Sequence, residues 1–135
     1  MTGVGTLCLQ MLGKSASPQT RSGLRTLQKA EFEWPETGKA NVYGGYYVTQ
    51  AKFQGGDKAD WSNWNRKMQQ TLVARQHADG HWEQGDYDNG SQVYTTTLCT
   101  LMLEVYYRYL PTYAKRPEST SPEKMTSGDI SVDVR

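Results

Sequence analysis

Two histidines stand four residues apart in the run Leu72-Val73-Ala74-Arg75-Gln76-His77-Ala78-Asp79-Gly80-His81-Trp82. On a helix that spacing sets both rings on one face, as paired metal ligands require. Gly80 falls between them at what reads as a helix end, and no third ligand is signposted. His77 and His81 therefore read as loop polarity, and no metal site or cofactor is assigned. Asp86, Asp88 and Gly90 are spaced like a calcium loop, but an EF-hand wants Asp or Asn at position 90 and Glu at position 97, where Gly90 and Thr97 stand. The simpler reading makes 86–91 the cap of a following helix, where acidic and hydroxyl groups accept from free backbone N–H groups. A calcium or substrate role is the alternative. Gly44-Gly45 and Gly55-Gly56 fit no phosphate fingerprint, and Asn89-Gly90-Ser91 is a formal glycosylation sequon without further secretory signals.

The elements that must position these residues read as helices. Val4, Leu7, Cys8, Met11 and Leu12 form an apolar stripe closed by Gly13, and Ser17-Pro18 opens a second helix that runs through Leu24 and Leu27 toward Phe32. A third spans Val42 to Gln54 and stops at Gly55-Gly56. Gly44 and Gly45 inside it each cost roughly 1 kcal/mol against Ala, which implies close approach of another helix or a ligand. The fourth starts near Asp60, with Trp61, Trp64, Met68, Leu72 and Val73 on its apolar side. The fifth, Gln92 to Tyr109, is apolar on most sides and is expected to be surrounded by other helices.

Composition agrees with helices that carry bulky faces. Fourteen of the fifteen aromatic residues lie between Trp34 and Tyr113, and the chain has one isoleucine. Fifteen Lys and Arg against fourteen Asp and Glu give a net charge of +1, which excludes a strongly basic nucleic-acid binder, and two cysteines exclude a disulfide-stapled mini-protein. No apolar run approaches the roughly 18–20 residues that cross a bilayer, and Met1-Thr2-Gly3-Val4 has no basic leader. The expectation is a soluble chain without an address label. Residues 111–135, with three prolines among Ser, Thr, Lys and Glu, read as a disordered tail, which leaves 1–110 to supply the fold.

Internal similarity organises the helices into repeats. Thr6-Leu7-Cys8 and Met11-Leu12 recur as Thr97-Leu98-Cys99 and Met102-Leu103 at an offset of 91, and Val42-Tyr43 and Thr49 recur as Val93-Tyr94 and Thr100 at 51. The unit is a helical hairpin of roughly 40–50 residues, of which the chain holds about two and a half.

Between the fourth and fifth helices, Gln76, Gly80 and Trp82 make a Gln-x-x-x-Gly-x-Trp element. Gly80 can end the helix in the left-handed conformation, Gln76 can bond exposed backbone ends, and Trp82 can cover the junction. This element, on this alternation of helices, resembles the QW motif of terpenoid cyclases and protein prenyltransferases. The resemblance spans roughly residues 1–113. It implies an all-α fold, a partial α/α toroid of about five helices: inner helices at Val4 to Leu12, Val42 to Gln54 and Gln92 to Tyr109, outer ones at Pro18 to Phe32 and Asp60 to Gln76. Such rings close with roughly five to seven hairpins, so the chain is expected to be the C-terminal piece of a larger toroid, its N-terminus opening inside a repeat.

Departures from the family pattern limit the chemistry. Asp86-Tyr87-Asp88-Asn89 lacks the final Asp of the cyclase acid motif, and no Asp stands two residues before Cys8 or Cys99, as a prenyltransferase zinc site would need. A Cys-Gly-Glu-Gln thioester element is absent as well. The expected function is a squalene-cyclase/prenyltransferase-like repeat domain acting as a structural or binding module. The alternative is the C-terminal part of an active terpene cyclase whose acid motif lies upstream, the fragment alone being inactive. Tyr43, Tyr46, Tyr47 and Tyr94, with Asp86 and Asp88, are pocket candidates; the tyrosines either line a toroid mouth or pack helices with their hydroxyls at the rim. Partners implied by the resemblance are the remaining repeats or a second copy, and a hydrophobic or isoprenoid ligand. Cys8 and Cys99, on inner helices separated by a third, are expected to be buried, unpaired thiols.

Overall fold

The computed structural model of the chain describes residues 1–34, 42–83 and 91–107, and the fold is all-α. Among the described residues five α-helices follow in order: α1 Thr2–Met11, α2 Pro18–Gln28, α3 Val42–Gly55, α4 Lys58–Arg75 and α5 Ser91–Leu103, with a 3₁₀ turn at Val105–Tyr107. The expected tail at 111–135, Asp86, Asp88, Asn89 and Gly90 of the sequon, and Tyr109 lie outside the described residues. Among the described residues, no helix is long and apolar enough to cross a membrane.

Local chemistry sets the helix ends. Gly13 at φ +73° ends α1, with Gly13 N donating to Gln10 O (3.0 Å) and Lys14 N to Leu9 O (2.8 Å), as a left-handed glycine cap requires. Ser17 caps α2 by accepting from Thr20 N, and Pro18 holds the first helical position. The helix stops at Gln28, short of Phe32, which lies in the following segment and turns inward. α4 starts at Lys58, two residues before the expected Asp60, and Asp57 caps it: its Oδ1 accepts from Ala59 N and Asp60 N at 3.0 and 2.9 Å.

α3 is the central helix. α1 runs parallel to it, because Gly3 lies against Tyr47 and Val48 while Gln10 reaches Ala51 O at 3.1 Å. α5 and the 3₁₀ turn also run parallel to α3, with Met102 near Gly45 and Tyr106 stacked edge-on against Phe53. α2 and α4 return antiparallel, and they meet where Gln28 Nε2 donates to Asp57 Oδ2 at 2.8 Å. Phe32, from the segment after α2, fills the space before Gly45, whose missing Cβ would sit 3.3 Å from the ring, while the expected approach of another helix is the looser one of Met102 on α5 at 3.8 Å.

Two apolar clusters result. One joins Phe32, Val42, Trp64, Met68, Leu72, Trp82, Leu98, Cys99 and Met102; the other joins Leu7, Leu27 and Ala51. Several apolar residues expected inside lie outside. Val73 and Leu12 are exposed, and so are Val93 (77 %) and Tyr94. α5 buries one side against α3 and turns Val93 and Tyr94 toward solvent, so it is not apolar all round because it is enclosed. Cys8 is exposed as well, whereas Cys99 is buried; both are free thiols. The same Thr-Leu-Cys sequence thus meets two environments, because α5 has α3 on its cysteine side and the matching side of α1 carries no described neighbour.

Candidate functional site

α4 leaves its last carbonyls without intrahelical partners. Trp82, only 3 % exposed, donates its indole Nε1–H to Leu72 O at 2.8 Å and its backbone N–H to Thr96 Oγ1 of α5 at 3.1 Å. One residue therefore closes the end of α4 and fills the main core with its indole, and bonds the next helix with its backbone. Gln76 Nε2 donates to Gly80 O at 2.9 Å. Gln76, Gly80 and Trp82 are thus brought together, with one correction: α4 ends at Arg75, and Gln76 has already left helical geometry. Gly80, at φ +92°, instead serves a separate turn in which Gly80 N donates to His77 O (2.8 Å) and His77 N to His81 O (2.9 Å).

This turn stacks the two histidines. Their ring centroids are 4.2 Å apart and their planes 4° from parallel. His81 Nδ1 contacts the Asp79 carboxylate, and His81 Nε2 lies 3.2 Å from Glu83 Oε1. The hydrogen bond from His81 holds the Asp79 carboxyl below the usual carboxylate range. Glu83, which spacing along a helix could not single out, is the third group at this cluster.

The tyrosines gather at the N-terminal ends of α3 and α5. Tyr43 and Tyr47 have ring centroids 4.6 Å apart, and Tyr46 packs edge-on to Tyr47 at 5.1 Å. The Tyr47 phenol is raised above its ordinary pKa by its hydrogen bond with Tyr43 and by burial, and Tyr94 is raised by burial and by the nearby Tyr43 hydroxyl. Tyr43, Tyr46 and Tyr47 are half-buried, and Tyr94 is exposed. Helical register places Tyr43, Tyr47, Gln50 and Gln54 on one face of α3, at steps of four, three and four. Gln50 is 2 % exposed, and the amide nitrogens of Gln50 and Gln54 are buried without a hydrogen-bond partner among the described residues. Such unmet donors cost about 1–3 kcal/mol each.

A second feature escaped the sequence reading. Lys52 is 1 % exposed and donates to Asp60 Oδ1 at 2.7 Å and to Ala30 O at 3.3 Å, its ammonium 4.8 Å from the Trp64 ring centroid. A lysine at the end of α3 followed eight residues later by an aspartate in the first turn of α4 is the signal that could have exposed it. At the same end of the molecule Phe53, Trp61 and Tyr106 pack edge-to-face at 5.2–5.8 Å, and the Tyr106 hydroxyl accepts from Trp61 Nε1 and Asn65 Nδ2. No protein-family model, curated protein or solved structure matches the chain.

Proposed function

We propose that the chain is a repeat domain of the squalene-cyclase and prenyltransferase type that acts as a structural or binding module, without a catalytic step of its own. The observation that carries this reading is the Trp82 junction, in which the indole bonds Leu72 O and the backbone bonds Thr96 while Gln76 bonds Gly80 O. The return helix α4 is thereby tied to the following helix α5, as the QW resemblance implies. In this reading α1, α3 and α5 are inner helices of a partial toroid, and α2 and α4 are outer ones.

Binding follows from the stripe on α3. Half-buried phenols at Tyr43 and Tyr47 share one face of α3 with the amide nitrogens of Gln50 and Gln54, which are unpaired among the described residues, so aromatic area and unmet donors lie on one face. A polyprenyl alcohol or diphosphate suits both parts. Further repeats or a second copy would lie along the exposed flanks at Cys8 on α1 and at Val93 and Tyr94 on α5.

The test is titration of the chain with farnesyl diphosphate and with farnesol, read by tyrosine fluorescence, beside sedimentation over a range of concentrations. Saturable binding weakened by Gln50→Leu and by Tyr47→Ala, or reversible self-association weakened by Tyr94→Glu, is expected. A monomer at all concentrations that binds neither probe would defeat the proposal.

A further inference from the structure

The turn after α4 gathers both imidazoles that the chain possesses. A neutral imidazole has one N–H and one lone pair. His81 meets a carboxylate at each nitrogen, Asp79 at Nδ1 and Glu83 at Nε2. With the N–H donated to Asp79, the Nε2 lone pair faces Glu83 Oε1, and two acceptors 3.2 Å apart repel unless positive charge lies between them. That separation is close to the ~3.3 Å edge between neighbouring ligand atoms of a tetrahedral ion with bonds of about 2.0–2.1 Å. One donor atom each from His77, His81 and Glu83 lies within 4.8 Å of the others.

We propose that His77, His81 and Glu83 bind a divalent transition-metal cation of the zinc type. Two imidazoles and one carboxylate suit such an ion better than calcium or magnesium, which prefer all-oxygen shells, or copper(I), which prefers sulfur. Asp79 is the positioning residue: it holds the Nδ1–H and so presents Nε2 as the donor, the carboxylate–histidine arrangement that commonly supports metal-bound imidazole. Three protein ligands leave a fourth position for water or a small anion. Binding takes the two rings out of their parallel stack so that their nitrogen lone pairs converge, and draws the most widely spaced donor pair together by up to about 1.5 Å, a movement open to the exposed His77 and Glu83 side chains. The ion would link the turn to the strand of chain just beyond Trp82 and so brace the α4–α5 junction.

The experiment uses the full chain without a histidine tag and with Cys8→Ser, which removes the exposed thiol as a competing ligand. Zinc chloride is titrated by calorimetry, and the histidine ring resonances are followed by NMR. One equivalent should bind with micromolar or tighter affinity, shifting both rings together and raising Tm. His77→Ala and Glu83→Gln should each weaken binding at least tenfold, and Asp79→Asn about 10–100-fold. Because these three side chains are exposed, the variants should keep the parent far-UV circular dichroism. Absence of binding at roughly 100 µM zinc, or affinity unchanged by His77→Ala and Glu83→Gln, would overturn the proposal.

Discussion

α1 with α2 and α3 with α4 and α5 repeat the same alternation but are held by different means. Around α1 and α2 the buried apolar set is Leu7, Leu27 and Ala51, and much of the remaining interior is polar: Thr6, Gln10 and Thr20. Close approach replaces bulk there. A Cβ at Gly23 would overlap the Thr6 hydroxyl, and one at Gly3 would come within 3.0 Å of Val48. Gln10 joins α1 to Ala51 O but leaves its own Oε1 buried and without a partner among the described residues. Around α3, α4 and α5 the apolar set is larger and bulkier, although Thr49, Gln50, Lys52 and Thr95 are buried there too, with Thr49 accepting from Trp64 Nε1 at 2.9 Å and donating to Gly45 O at 2.8 Å. Apolar burial contributes about 1.5–3 kcal/mol per large side chain, so the second region should be the last to open and α1–α2 the first.

The largest expected effect that tests this gradient is at Trp82. Trp82→Ala removes a buried indole and leaves Leu72 O without its donor, at a cost of about 3–5 kcal/mol. Leu27→Ala, in the leaner cluster, should cost about 2–3 kcal/mol. Urea titrations should give that order, and hydrogen exchange should show Leu27→Ala speeding α1 and α2 before α4. Equal costs with uniform exchange would mean one cooperative core.

Next in size is the buried ion pair. Lys52→Met strands Asp60, which is 12 % exposed, and removes the bond to Ala30 O. Breaking such a pair from one side costs about 3 kcal/mol. The double variant Lys52→Met with Asp60→Leu should recover much of that loss, because it removes both desolvated charges. If the double variant is as unstable as the single one, packing rather than charge accounts for the effect.

A smaller effect lies at the seam between the two regions. Asp57 is held below its ordinary pKa of 3.8, first by the Asp60 backbone N–H, then by Gln28 and the Ala59 N–H. A carboxyl with a depressed folded pKa contributes stability that is complete above the unfolded value and is lost as pH falls through the folded one. Tm should therefore fall below about pH 4 in the parent chain, and Asp57→Asn should flatten that part of the profile while keeping the cap acceptor. An unchanged acid limb would assign it to other carboxylates.

The all-α class was legible because helical periodicity, the Ser17-Pro18 start and the Gly13 stop are local signals that the tertiary fold did not override. Gln76, Gly80 and Trp82 were legible as a set, but the role of Gly80 was misplaced: sequence spacing cannot tell a helix-ending glycine from one that serves a turn five residues past the last helical residue. Glu83 and Lys52 were not singled out, since one joins the histidines only after the chain reverses at Gly80 and the other is a charge whose burial depends on Asp60 and Trp64. Val93 and Tyr94 looked internal because apolar type was read as burial, whereas α5 has a covered and an uncovered side.

The smallest energetic effect gives the sharpest contrast, since it compares one sequence in two places. Thr-Leu-Cys in α1 leaves Cys8 exposed, and Thr-Leu-Cys in α5 buries Cys99 beside Met102 and Leu98. Burial pushes the Cys99 thiol from 9.0 up to about 12, so near neutral pH it stays protonated and inert, because the thiolate is the nucleophile. Iodoacetamide should label Cys8 rapidly in the folded chain and Cys99 only through opening of the α3–α5 contact. The sign of the pH effect follows from the same shift: the folded state keeps a proton that the unfolded chain releases, so this contribution is complete below 9.0 and is lost as pH rises toward 12. Urea should speed Cys99 labelling in step with global unfolding while Cys8 labelling stays fast throughout. Equal native rates for the two thiols would mean that α5 separates from α3 as readily as α1 meets solvent, and the stability gradient between the two regions would then be wrong.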